Sequence, residues 1–318
     1  MWSTTHFLLT MVSHLVWLLL GLSPVLASPP DKAFLPLRQT ANDHHFTVAS
    51  DDWSCSPDQV AVTDTADPFY RWVAALGARA PRFEGHHDYL CDDSLKNYQT
   101  WENCVPITTR FGAKECAGAD RTALLTETGR APCQASVLHM LLVDVYTELQ
   151  RAGGEPALVF GTLLGAVRDG GIIPFTEDVD VAYQLQDDPM PIVTRRLQAR
   201  GYHVFMDSIS RVCVAPTHPL AGRLYDPTLA APIESCTGPY LDLYRMEPDP
   251  EVGGHWNIEH TQRWNDSIPG EKLLPYSKVP LNGVDYDTVA DPADFLMQEY
   301  GASYLRPMRD GRRSGEYI

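Results

Sequence analysis

Apolar positions recur at helical spacing most clearly between Ala135 and Ala152, where Val137, Leu138, Leu141, Leu142, Val145 and Leu149 form one face. Gly153-Gly154 stops the run, so this stretch predicts a core helix. A short apolar run, Ala157 to Phe160, then reads as a strand ending at Gly161-Thr162. Leu163 to Arg168 reads as helix, and Gly170-Gly171 breaks it. The period then changes to two: Glu177-Asp178-Val179-Asp180-Val181 alternates acidic and apolar side chains, as a strand does. Pro189 to Gly201 is helical again, with Ile192, Val193 and Leu197 inward and Arg195, Arg196 and Arg200 outward. Tyr202–Phe205 and Arg211–Ala215 read as the next two strands. After an excursion over Thr217 to Thr237, Gly238 to Tyr244 is a further strand, and burying Leu241 and Leu243 turns Asp242 to the other face. Asp291-Pro292 opens a last helix with Asp as cap and Pro at its first position, and Phe295, Leu296 and Tyr300 give its buried side. The pattern predicts an α/β (α+β) fold: a mixed sheet with flanking helices.

Ahead of this core the periodicity weakens. Residues 28–132 are rich in turn residues and read as a Cys-containing, loop-rich region. A short helix is expected over Asp67 to Ala78, with Phe69, Trp72, Val73 and Leu76 on one side. Phe7 to Leu22 is a nearly continuous apolar run followed by Val25-Leu26-Ala27, which suits a signal peptidase site. The run is shorter than the ~20 residues a membrane span needs, yet a basic segment ahead of it is missing. Residues 1–27 therefore read as a signal peptide or a signal-anchor, and either reading directs the chain to the lumen of the secretory pathway (ER/Golgi) or to secretion. The seven cysteines (Cys55, Cys91, Cys104, Cys116, Cys133, Cys213 and Cys236) fit that compartment as disulfides in a loop-rich segment. Cys213 and Cys236 flank the 217–237 excursion and could close it as one disulfide. A zinc site using His86-His87 and Cys91 is the sharper alternative, without the CxxC spacing that would support it. The aromatic-Cys stretches Asp88–Cys91 and Trp101–Cys104 read as a small disulfide-pinned core in preference to a sugar-stacking surface. Asn265-Asp266-Ser267 is a glycosylation sequon, and residues 309–318 form a polar tail.

The 318 residues carry a net charge of −16, which argues against a nucleic-acid partner and otherwise describes a solvated acidic surface. The informative acids are few. On a strand, Asp178 and Asp180 project from one face with Cα atoms ~7 Å apart, available to one divalent cation or a close pair. Hard carboxylate oxygens suit Mg²⁺ or Mn²⁺, which in turn grip phosphate oxygens. Asp242 supplies a third carboxylate from its own strand, to ligate metal or take a proton. Gly161-Thr162 lets the backbone approach a phosphate at a helix start. Arg168 is either a helix-end cation or a donor-phosphate ligand. Arg245, close behind Asp242, is expected to share its face, to bind phosphate or neutralise the carboxylates. His139 reads as a surface or core histidine.

This ordered set resembles the nucleotidyltransferase fold. More closely, Gly161-Thr162-Leu163-Leu164-Gly165-Ala166-Val167-Arg168, then Gly171-Ile172-Ile173-Pro174-Phe175 and Asp178-Val179-Asp180-Val181, resemble the LicD/fukutin family pattern. Phe295 to Gly301 with Tyr304 and Pro307 resembles its closing segment, so the likeness runs from Ser136 to Pro307 within a domain of residues 133–308. Phe175, Thr176 and Glu177 depart from the family's Trp and first two acidic positions. The resemblance implies a metal-dependent transferase that moves a phospho-alcohol, of the phosphocholine or ribitol phosphate type, from a CDP-alcohol donor to a hydroxyl of a glycan, glycoprotein or glycolipid. Two other classes stay open: a catalytically silent relative that binds glycans or assists another enzyme, and a calcium- or zinc-stabilised structural domain.

Overall fold

A computed structural model describes residues 66–77, 82–83, 85–91, 100–112, 114–126, 130–185, 188–228, 238–261 and 267–307. The chain divides into two units, Met1–Asp43 and His44–Ile318, and every described residue belongs to the second. The apolar run at 7–22, Cys55, Cys236, Asn265, the tail and the side chains of His86 and Cys91 lie outside the described residues. No helix among the described residues is long and apolar enough to cross a membrane.

Among the described residues the first helix is α1 (Pro68–Ala75), capped by Asp67, whose carboxylate accepts the Phe69 amide at 2.9 Å. Its buried side is Phe69, Tyr70 and Val73, whereas Trp72 and Leu76 are exposed, correcting the expected stripe. Tyr70 is drawn inward because its hydroxyl binds the buried carboxylate of Asp144. Short 3-10 helices at Gly85–Cys91 and Trp101–Asn103 and the short α2 (Ala123–Thr126) lead to α3 (Gln134–Arg151), the expected core helix, most of which is buried.

Strand β1 (Ala157–Leu158) is followed at once by α4 (Phe160–Asp169), which therefore includes Gly161-Thr162 in its first turn. The chain continues through β2 (Asp178–Gln184), α5 (Met190–Ala199), β3 (Tyr202–Asp207), β4 (Ile209–Val214) and α6 (Ala221–Leu224). Strands β5 (Tyr240–Pro248), β6 (His255–Ile258) and β7 (Ile268–Pro269) precede α7 (Gly270–Leu273). Strands β8 (Ser277–Leu281) and β9 (Val284–Thr288) then lead into α8 (Pro292–Tyr300), whose Asp291 cap accepts the Asp294 amide at 3.1 Å.

Among the described residues the strands form one nine-stranded mixed sheet, ordered β3-β4-β5-β2-β1-β9-β8, with β6 and β7 extending from β5. Strands β2 and β5 run parallel at its centre, in the register Asp178↔Tyr240 and Asp180↔Asp242. Two expectations change at the α3–α5 contact. Ile192 is exposed, and Arg200 turns inward, where it binds Asp144 at 2.8 Å and Glu148 at 2.9 Å. A buried acid needs a partner more than a helix needs an outward arginine.

Two disulfides join described residues, Cys104–Cys213 and Cys116–Cys133. The first corrects the expected Cys213–Cys236 pairing: β4 carries Cys213 beside the Trp101–Asn103 turn, and its sulfur is bonded to Cys104 across a 5.6 Å Cα separation. Trp101 and Cys104 thus pack on the sheet edge with Phe205 and Tyr240.

Candidate active site

The sheet's centre gathers three carboxylates because parallel register places equivalent residues side by side. Asp178 and Asp180 lie two apart on β2, and Asp242 faces Asp180 on β5, so all three share one face. Ligand oxygens of Asp178, Asp180 and Asp242 all lie within 4.8 Å of one another. The apolar neighbours Val179, Val181, Leu241 and Leu243 fill the opposite face and are fully buried.

Each carboxylate is fixed by its own donors. Thr176, two residues ahead, gives its hydroxyl to Asp178 Oδ1 at 3.1 Å and so orients the first carboxylate. The Thr162 amide gives a 3.1 Å bond to Asp180 Oδ2, and the Thr162 hydroxyl accepts the Asp180 amide at 2.6 Å. Arg211 Nε binds Asp242 Oδ1 at 2.9 Å. Tyr240 reaches Asp178 Oδ2 at 3.2 Å, and Tyr244 reaches both Asp180 Oδ1 at 3.1 Å and Asp242 Oδ2 at 3.3 Å.

The local backbone explains how Asp180 comes so close to the start of α4. Phe160 takes a left-handed φ of 43°, rare for a residue with a side chain, and holds the strand-to-helix turn tight. Its ring packs on Tyr244 and Phe295. A Cβ on Gly161 would stand 3.2 Å from Asp180 Oδ2, so glycine there admits the carboxylate to the helix N-terminus. From below, Gln134 donates to the carbonyls of Thr176 and Glu177, tying α3 to the loop that presents Asp178.

Burial raises the proton affinity of Asp180 well above the usual carboxylate range, and the charges of Asp178 and Asp242 add to it. Asp242 is pushed up to about 6 by burial, against the lowering effect of Arg211. Burial and the same carboxylates push the Tyr244 phenol far up, keeping it a hydrogen-bond donor. Tyr300, at the end of α8, is likewise raised by burial and by Asp180. Three clustered acids with one guanidinium leave excess negative charge in a desolvated place, which is the donor set a hard divalent cation fits.

The remaining expected residues are placed as follows. Arg168 is held by its neighbour Asp169 at 2.7 Å. Arg245 is exposed and bound to Glu259 at 2.5 Å, not to the carboxylates. It stands three residues from Asp242, and odd spacing on a strand puts it on the opposite face, so Arg211 is the neutralising cation. His139 is a core histidine whose Nδ1 accepts the Arg121 amide at 3.1 Å. His87 gives or accepts a 3.0 Å bond with the Tyr225 hydroxyl. Sequence reasoning missed Tyr240 and Tyr244, although their even spacing from Asp242 is a signal that could have found them. Arg211 carried no such signal, because its pairing is set by the β4–β5 register alone.

Residues 156–288 match the family described as LicD/FKTN/FKRP, nucleotidyltransferase domain. A protein of Rickettsia typhi (strain ATCC VR-144 / Wilmington), named "Uncharacterized protein RT0683", is 24% identical over 168 residues, covering 52% of this chain and 46% of that protein. The chain thus spans just under half the length of that relative. The match takes in β1 to β9 with Asp178, Asp180 and Asp242, so residues 156–288 match a nucleotidyltransferase domain of the LicD/FKTN/FKRP family.

Proposed function

We propose that the chain is a divalent-cation-dependent transferase that moves a phospho-alcohol from a CDP-alcohol to a glycan hydroxyl in the secretory lumen. The family supports glycan-modifying phospho-alcohol transfer as the class of reaction. The observation that carries the reading is the convergence of Asp178, Asp180 and Asp242 on one face of adjacent parallel strands. These three residues would hold one or two Mg²⁺ or Mn²⁺ ions. When bound, such ions offset charge on the transferring phosphoryl group and the departing nucleotide.

The rest follows from the chain's own groups. Thr162, Thr176, Tyr240, Tyr244 and Arg211 hold the carboxylates in place before substrate arrives, so little reorganisation accompanies binding. The donor phosphates would meet the start of α4 beside Gly161, Thr162 being engaged with Asp180, with Arg168 exchanging Asp169 for a phosphate oxygen. The acceptor oxygen forms a bond to the phosphorus of the phospho-alcohol, the bond to the bridging oxygen breaks and CMP departs. The acceptor's proton passes to a carboxylate in reach, for which Asp242 is the candidate.

Thermal-shift titration of the lumenal part, residues 28–318, tests this reading with Mn²⁺ or Mg²⁺ plus CDP, UDP, GDP or ADP. A ligand that binds only the folded form raises the midpoint by mass action. The expected result is a cation-dependent shift with CDP, absent in Asp180→Ala. Cation stabilisation without any nucleotide response would leave a structural ion site or a silent relative.

A further inference from the structure

We propose that Trp101 and Arg211 together set the cation selectivity of the carboxylate site, admitting a small octahedral cation such as Mg²⁺ or Mn²⁺ and rejecting Ca²⁺. The inference rests on the cation-dependent reading above. It adds to the site a residue, Trp101, that lies outside the matched residues 156–288.

The argument starts from which oxygens are free. Asp178 Oδ1 is held by Thr176, Asp180 Oδ2 by the Thr162 amide and Asp242 Oδ1 by Arg211. The other oxygen of each acid faces only a tyrosine hydroxyl, which can rotate and present a lone pair elsewhere. Each carboxylate therefore offers one oxygen whose donor can turn away, and a cation that takes the second oxygen must share it with a fixed donor. Mg²⁺ demands near-octahedral geometry, keeps several waters and takes carboxylates through single oxygens. Ca²⁺ takes six to eight oxygens and often grips a carboxylate by both. Holding one oxygen of every acid thus costs Ca²⁺ ligands and costs Mg²⁺ or Mn²⁺ little.

Two of the three holding groups are short and locally fixed: an amide in α4 and a threonine two residues from its acid. The third is a long arginine, which needs confinement. Register sets Arg211 directly opposite Asp242 across β4 and β5. Asp207 binds its Nη1, and the guanidinium lies over the rings of Trp101 at 5.1 Å and Tyr240 at 5.4 Å. Trp101 is itself clamped. Its Nε1 donates to Asp207 Oδ2 at 2.8 Å, and its ring meets Phe205 and Tyr240 edge-on at 4.7 and 5.0 Å. Three residues on, Cys104 is bonded to Cys213 of β4, and the Val105 amide binds the Val214 carbonyl at 2.8 Å. The guanidinium is boxed onto Asp242 by a segment that the disulfide ties down.

Removing a positive charge beside the acids would raise affinity for every divalent cation, so the informative readout is a ratio. Calorimetric titration of the full chain with Mn²⁺ and with Ca²⁺ gives the two Kd values. Wild type is expected to prefer Mn²⁺. Arg211→Lys keeps the charge but loses the planar fork, and should lower the Ca²⁺-to-Mn²⁺ Kd ratio about tenfold, the scale on which partners of metal ligands act. Trp101→Ala should lower it comparably, Trp101→Phe should retain most of it, and Trp101→Ala should add nothing in the Arg211→Lys background. Unchanged ratios in the single variants, or additive losses in the double variant, would overturn the proposal. If Trp101→Ala does not fold, Trp101→Leu, which keeps an apolar side chain but removes the ring and the Nε1 donor, takes its place and should lower the ratio comparably; an unchanged ratio there overturns the proposal. Wild type that binds Mn²⁺ and Ca²⁺ equally would sink this inference and leave the transferase reading standing. Wild type that binds neither would sink both.

Discussion

Asp180 is buried beside two other acids, and its proton affinity is raised because the folded chain disfavours its charge. A carboxyl raised on folding contributes stability when protonated and loses it as pH rises through its ordinary range and beyond. In the cation-free protein, ionising Asp180 is therefore destabilising, at the place where the proposed cation site needs its charge. Asp180→Asn keeps an oxygen for the Thr162 amide and removes that charge, while the Tyr244 hydroxyl can turn to accept from the new amide. The expected outcome is a gain of about 1–2 kcal/mol in cation-free unfolding free energy by urea denaturation at pH 8, with the Mn²⁺-induced stabilisation lost. A variant less stable than wild type without cation would show that burial strain is not stored at this residue. Gly161 belongs to the same trade: it was legible as a phosphate-approach glycine, but here its missing Cβ makes room for Asp180 itself. That role depends on a contact 19 residues away in sequence, which no local pattern carries.

At the level of elements, α3, α5 and β3 meet over a polar cluster. Asp144 of α3 is fully enclosed, bound by the hydroxyls of Tyr70 and Tyr202 and by Arg200, with His218 beside both tyrosines. The helices were legible because their apolar residues repeat at 3.6, and β2 was legible because acid and valine alternate. The inward Arg200 and Tyr70 were not, since a periodic reading assigns polar groups to solvent and cannot see which acid awaits them. The cluster makes a pH prediction. His218 is pushed down to about 3 and His203 to about 4, each chiefly by burial. His218 Nδ1 accepts the Leu220 amide, and His203 Nε2 meets the Thr100 carbonyl, so both rings sit neutral in the fold. A histidine depressed on folding contributes stability above its unfolded pKa near 6.5, and that contribution is lost as pH falls from there toward its folded value. The histidine contribution to unfolding free energy should fall between pH 6.5 and 4, by about 1.4 kcal/mol per pH unit for each such histidine. The raised Asp180 and Asp242 carboxyls contribute in the opposite sense, so the difference between wild type and a His218 variant isolates it. His218→Gln should flatten the slope whatever it does to absolute stability. An unchanged slope would mean the ring is protonated within the fold.

Across the whole molecule, the sequence order of the motif survives as spatial order: β1, the tight turn into α4, β2 and then β5 bring Gly161, Asp178, Asp180 and Asp242 together. What sequence could not supply was the long-range stitching, above all Cys104–Cys213, because any of several cysteines was a partner on spacing alone. The two bridges among the described residues differ in span, 109 residues against 17. In the chain-entropy account a bridge stabilises by restricting the unfolded chain, more for the longer loop and only logarithmically so. Paired serine substitutions should then cost about 4–5 kcal/mol for Cys104/Cys213 and about 3 kcal/mol for Cys116/Cys133 in urea unfolding. Stability alone does not distinguish a staple from a part of the site. The longer bridge also fixes the turn that carries Trp101 over Arg211, whereas Cys133 sits at the start of α3. Its removal should therefore lower the Ca²⁺-to-Mn²⁺ Kd ratio as Trp101→Ala does, while loss of Cys116–Cys133 leaves that ratio unchanged. If both pairs cost stability and neither moves the ratio, the segment before the matched domain only staples the sheet edge, and the selectivity resides within β2, β4 and β5.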